Sequence, residues 1–160
     1  MERFVIIGAG AAGISAARVL RDFRPHDVIT VLSIDEKVHS RCMLHKFLGH
    51  ERDAGGINFA GVDFFDKNDI IHIPSQTVTK IDTQSKTVHY GESYAIPYDK
   101  LLISTGAGFF IPPIPHFREA PNVFGFRDLS DALAIDEAFA RGKRVFIVGS
   151  GLVGLDAASA

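Results

Sequence analysis

The chain has 160 residues, of which 46% are hydrophobic, and a formal net charge of −2. That is enough apolar material for a real core in one domain, or one and a piece. The near-neutral balance leaves no footprint for nucleic acid or an anionic membrane, and no apolar run approaches the ~20 residues of a spanning helix. A strand that begins directly after Met1 leaves no room for a signal peptide. The single cysteine, Cys42, excludes an intramolecular disulfide and a CxxC dithiol. These absences point to a soluble, cytoplasmic protein.

Residues 3–8 read as a buried parallel strand that runs into Gly8-Ala9-Gly10-Ala11-Ala12-Gly13. Glycines at this spacing let the backbone turn sharply and let a pyrophosphate approach main-chain N–H groups at a helix N-terminus. The apolar spacing predicts that helix over 11–23, with Gly13, Ala16, Ala17, Leu20 and Phe23 on one face and Ser15, Arg18 and Asp22 on the wet one. Pro25 marks the exit turn, and residues 28–34 form a second strand. A dinucleotide turn of this kind wants an acid after the second strand to accept hydrogen bonds from the adenosine ribose, about 20 residues on. Asp35 and Glu36 lie 22 and 23 residues past Gly13. Asp35, nearest the strand end, is the first choice.

Further along, residues 41–49 read as a short helix ended by Gly49, 52–61 as a glycine-containing loop and 63–68 as another helical turn. Residues 76–82 and 86–90 read as β with a turn between them. Residues 98–104 read as a strand whose last four residues are buried, leading into Thr105-Gly106. Pro112, Pro113, Pro115 and Pro121 make 109–121 a stiff linker. A helix over 131–141, capped by Ser130 or Asp128, ends at Gly142. Then the opening pattern returns: Val145-Phe146-Ile147-Val148 precedes Gly149-Ser150-Gly151-Leu152-Val153-Gly154. Two such turns imply two dinucleotides, and two dinucleotides suggest electron transfer between them. The fold class expected is α/β, a Rossmann-like parallel sheet with a small antiparallel excursion. The division expected is 1–110 for the first nucleotide-binding domain, 111–142 for a linker and connecting helix, and 143–160 for the start of a second. The chain is expected to be a piece of a longer protein.

The ordered set of motifs carries a resemblance. The first glycine turn, then Ser40-Arg41-Cys42-Met43-Leu44-His45-Lys46, Ile103-Ser104-Thr105-Gly106-Ala107, Phe126-Arg127-Asp128-Leu129 and finally Gly149–Ala158 resemble the N-terminal part of FAD-dependent enzymes of the pyridine nucleotide-disulfide oxidoreductase superfamily. The branch most similar holds rubredoxin and ferredoxin reductases and the flavin portion of NADH-dependent nitrite reductases. The resemblance implies FAD at the first turn, with Gly8, Gly10, Ala11, Ala12 and Gly13 lining its pyrophosphate. It implies Ser40, Arg41 and Lys46 beside pyrophosphate and flavin, where Lys46 can stabilise a reduced, anionic ring. It also implies backbone contact of Val78 with adenine, packing of Thr105 and Gly106 on the cofactor, and approach of Arg127 to the flavin side. Ser104 stands where relatives usually carry Ala. Gly149, Gly151 and Gly154 are implied for NAD(P)H, and Asp156 stands where relatives carry a Glu near the nicotinamide. The implied activity is hydride transfer from NAD(P)H to FAD and onward electron transfer. The acceptor is a rubredoxin- or ferredoxin-like protein or an attached iron–sulfur module. The 160 residues alone are expected to be inactive, and the longer form is compatible with a homo-oligomer.

Cys42 keeps two alternatives open, a buried or inert thiol and a flavin-adjacent thiolate favoured by Arg41. The second would make a flavin–thiol enzyme acting on peroxide, oxygen or a coenzyme A disulfide. A non-catalytic nucleotide-binding module is a third reading of the chain. His39, Cys42, His45 and His50 have loose metal-ligand spacing, but a flavin pocket explains the region and no metal is expected. His26, His72, His89 and His116 read as ordinary surface or turn residues.

Overall fold

A computed structural model describes residues 1–142 and 144–160; Lys143, the first residue of the expected second domain, lies outside the described residues. The chain forms two compact units. The first comprises residues 1–38 and 60–106, the second residues 39–59 and 107–160.

The first unit is built on four parallel strands: β1 (Arg3–Ile7), β2 (Val28–Leu32), β3 (Ile71–Ile73) and β7 (Lys100–Ile103), in the order β3-β2-β1-β7. Helix α1 (Ala11–Phe23) connects β1 to β2. Three antiparallel strands, β4 (Val78–Asp82), β5 (Thr87–Tyr90) and β6 (Tyr94–Pro97), form a second sheet, and α3 (Phe64–Lys67) is a single turn.

The central strands are almost wholly apolar, Phe4–Ile7 and Val28–Leu32 with the single exception of buried Thr30, because both of their faces are covered. Phe4 and Ile6 of β1 and Ile29 and Val31 of β2 pack with Ile14 and Ala17 of α1 and with Phe64. Val5, Ile7 and Leu32 point the other way, where Val88, Ile81, Tyr90 and Ile96 of the antiparallel sheet cover them. The period-2 alternation of a strand thus divides one apolar run between two cores.

Several sequence expectations change here. Phe23 is exposed, and Ile14 takes the core-facing role beside Gly13 and Ala17. Strands β3 and β6 were not expected; each has only three or four residues. In β7 the expected buried run is open, with Leu102 and Ile103 exposed. That strand is an edge, so it has a neighbour on one side only.

The second unit holds a 3-10 turn at Arg41–Met43, α2 (Leu44–Leu48), α4 (Leu129–Phe139) and α5 (Leu152–Ser159). Its core is small: Leu44, Ile57 and Ala132, with Met43, Phe47, Phe126 and Leu129 around them. Asp128, not Ser130, caps α4, and it forms a reciprocal capping box with Asp131. The helix ends at Phe139, ahead of Gly142. Residues 145–148, expected as a strand, form none, because no strand pairs with them among the described residues.

Candidate functional site

In an open α/β sheet, ligands bind beyond the carboxyl ends of the strands, where the strand order reverses. Here β1 is followed by β2 on one side while β7 lies on the other, so the reversal falls between β1 and β7. Gly8 follows β1, and Ser104-Thr105-Gly106 follow β7. Ser104 N donates to Ile7 O at 2.8 Å, and the Ser104 hydroxyl reaches Ile7 O at 3.0 Å and Gly8 O at 3.1 Å. Ser104 therefore ties the two strand ends together.

The glycines have distinct reasons. Gly8 has φ +109°, and a Cβ there would overlap the Ser104 carbonyl. Gly13 has no unusual φ, but a Cβ would run into Gly8 O and lie 2.9 Å from Ser104 Oγ. Gly10 is the N-cap of α1 and brings no capping side chain, and the first turn carries no acid. The first intrahelical bond is Ile14 N to Gly10 O at 3.0 Å. The N–H groups of Ala11, Ala12 and Gly13 are thus the ones an α-helix leaves without an intrahelical partner, and they sit at the positive end of its dipole. A cradle this close, without side chains, fits a diphosphate.

The turn at the other end of the chain has the same backbone geometry. Gly149 has φ +114°, and Gly151 caps α5 at φ −73°, ψ 172°, as Gly10 caps α1 at φ −76°, ψ −174°. Leu155 N bonds Gly151 O at 3.0 Å, and a Cβ on Gly154 would run into Gly149 O. The surroundings differ. A Cβ at Gly149 or Gly151 would meet nothing within 4 Å.

Asp35 and Val78 come to the same edge of the first unit. Gln76 N donates to Ser33 O at 2.9 Å, and Ser75 N lies 3.5 Å from Asp35 O. Val78 opens β4 opposite Tyr90. Asp35 is partly buried, whereas Glu36 is exposed.

In the second unit, Lys46 Nζ grips both carboxylate oxygens of Glu51, at 2.9 and 2.8 Å. That bond holds the Glu51 carboxyl below its ordinary value. Arg41 is engaged by Asp128, with Nη2 at 2.7 Å and Nε at 2.9 Å from Oδ1. Buried His39 accepts from Leu129 N at 3.3 Å and so helps to start α4. Arg127 donates its N–H to Asp131 Oδ2 at 2.8 Å. Asp156 on α5 lies 3.9 Å from His45 Nδ1 on α2. Ser40 N donates to Ile57 O at 2.8 Å. Cys42 is exposed, which removes the buried alternative. Glu51 and Asp128 were not expected from sequence. An acid five residues after Lys46 is the only signal in the sequence for the first, and a helix cap is the only role the sequence suggests for the second.

A profile of the pyridine nucleotide-disulphide oxidoreductase family matches residues 2–160. The chain belongs to this family. Its expected cofactors, FAD and NAD(P)H, are those of the family's reductases. Nitrite reductase [NAD(P)H] of Bacillus subtilis is 32% identical over 159 residues, which are 98% of this chain and 20% of that protein. NADH-rubredoxin oxidoreductase of Clostridium acetobutylicum is 32% identical over 160 residues, 99% of this chain and 41% of the relative. The structure of a NAD-dependent persulfide reductase from A. fulgidus is 30% identical, with a TM-score of 0.87 over 98% of this chain and 31% of that one. The chain therefore spans well under half the length of these relatives. Among the described residues, no helix is long and apolar enough to cross a membrane.

Proposed function

We propose that this chain belongs to an FAD-dependent NAD(P)H oxidoreductase that passes electrons to a small redox protein of the rubredoxin or ferredoxin kind. The observation that carries the reading is the pair of glycine turns with one backbone geometry, Gly8–Gly13 and Gly149–Gly154. The relatives named above supply the electron-transfer class. The chemistry that FAD supplies when bound is acceptance of a hydride and release of single electrons.

The chain's own part is binding and electrostatics. In this reading the N–H groups of Ala11, Ala12 and Gly13 hold the FAD diphosphate, and Asp35 holds the adenosine ribose. Thr105 and Gly106 close on the cofactor from the end of β7, and the backbone at Val78 meets the adenine. Lys46 supplies positive charge to a reduced ring. Arg41 and Arg127 serve the same anionic cofactor, and Ser40 orients the turn that carries Arg41. Gly149, Gly151 and Gly154 take the diphosphate of NAD(P)H, and Asp156 borders the nicotinamide.

Reconstitution tests the proposal. The purified chain should take up FAD and show flavin absorption near ~450 nm, and Gly13→Ala should abolish uptake. A chain that stays colourless with excess FAD would sink it. Exposed Cys42 beside Arg41 sustains a second reading, a flavin–thiol enzyme. In the longer enzyme, Cys42→Ser should leave reduction of the acceptor within about twofold if the first reading holds, and should stop turnover if the thiol does the chemistry.

A further inference from the structure

The Asp35 turn is held by a support that runs back into the core of the first unit. Ser33, buried directly after β2, is fully engaged. Its N–H donates to Ile73 O at 3.1 Å and its carbonyl accepts from Gln76 N. Its hydroxyl donates to Asp35 O at 2.8 Å and lies 3.0 Å from His72 Nε2. A serine hydroxyl has one proton, and Asp35 O takes it, so His72 donates from Nε2. The imidazole lies flat on the Phe65 ring, with centroids 3.9 Å apart and planes 11° from parallel. Phe65 in turn meets buried Phe64 edge-on at 5.3 Å. The stack fixes the plane of the ring and hence the direction of its Nε2–H. Partial burial keeps the imidazole below its ordinary pKa, which favours the neutral ring near pH 7.

We propose that His72 is a positioning residue for nucleotide recognition: through Ser33 it fixes the Asp35 turn so that the carboxylate meets the ribose hydroxyls of an adenosine dinucleotide. The inference rests on the reading of Asp35 as the ribose acceptor. A purely structural side chain on Phe65 needs only an apolar face. The Nε2–Oγ–Asp35 O chain adds a direction, and that direction ends at the residue proposed to read the sugar.

The test compares ADP with 2′-deoxy-ADP by calorimetry on the chain as it stands. The native protein should prefer ADP by roughly tenfold, the effect of one hydrogen bond to a charged acceptor. His72→Phe keeps the ring stack and deletes the donor, and should reduce the preference to about twofold or less. His72→Gln, which returns an N–H near the same place, should restore most of it. Ser33→Ala should repeat the loss, and it decides the matter if His72→Phe does not fold. A general loss of stability would weaken both ligands alike and leave their ratio unmoved. If Asp35→Ala erased the preference while folded His72→Phe and Ser33→Ala kept it, the proposal would be overturned and the ribose reading would stand. If the native chain showed no preference, or Asp35→Ala did not change it, both would be overturned.

Discussion

At Gly13 the requirement is for space, at Gly149 for dihedral freedom, and at Gly8 for both. The distinction predicts different consequences for one substitution. Gly13→Ala pushes a methyl into Gly8 O and should destabilise the first unit by about 1–3 kcal/mol, the cost of overpacking a tight site. Amide exchange in β1 should accelerate with it. Gly149→Ala meets open space, so its cost is confined to the local turn and β1 exchange should stay native. His72 adds a pH signature. Its folded pKa lies below the ordinary 6.5, so the unfolded chain takes the proton first. Its contribution is therefore intact above about pH 6.5 and is lost as pH falls from there through the folded value. Urea unfolding from pH 7.5 to 5 should show the decline, and His72→Phe should flatten that part of the curve. Sequence alone could not single out this histidine. Its partners, Ser33 and Phe65, become neighbours only when β3 pairs with β2, and β3 has three residues, too short for a periodicity to show.

Among the elements, β1 and β7 are joined at their start as firmly as at their end. Arg3 N and Nε donate to Asp99 Oδ2 at 2.8 and 3.1 Å, Nη2 reaches Oδ1 at 3.0 Å, and Asp99 N returns a bond to Arg3 O. The guanidinium fork pulls the Asp99 carboxyl down to about 2. A depressed carboxylate stabilises above its unfolded value and loses that effect as pH drops through the folded one. Acid titration of native protein and Asp99→Asn should thus differ most above about pH 4 and converge toward pH 2. What could be read from sequence at this scale followed local rules. The bounds of helix α1 were legible because small residues recur at helical spacing after a glycine turn, though its buried face turns on Ile14 and not on Phe23. The hairpin of β4 and β5 was legible from its flanking turn. Edge exposure in β7 was not, because Lys100–Ile103 has the composition of a buried strand and only its place in the sheet order leaves it open. Residues 145–148 make the same point: an apolar run becomes a strand only when another strand accepts its hydrogen bonds. The glycine turns of the candidate site were readable; the acids that engage Lys46 and Arg41 were not, because both pairings arise from how the second unit folds.

Across the whole molecule, the two units are unequal. The first has two apolar layers on one sheet, whereas the second has three buried apolar residues at its centre. Local stability follows buried contact, so the amides of α4 and α5 should exchange faster than those of β1 and β2, and mass-resolved hydrogen exchange would display the gradient. The open side of β7 has a further consequence. As an edge, the strand has an unpaired side, with Leu102 and Ile103 exposed on its two opposite faces and Val19 and Phe23 also bare on α1. Such a rim is adhesive toward any extended peptide, including a neighbour's own. Light scattering of concentrated solutions should report particles that grow with protein concentration, and a Leu102→Lys substitution should keep them small.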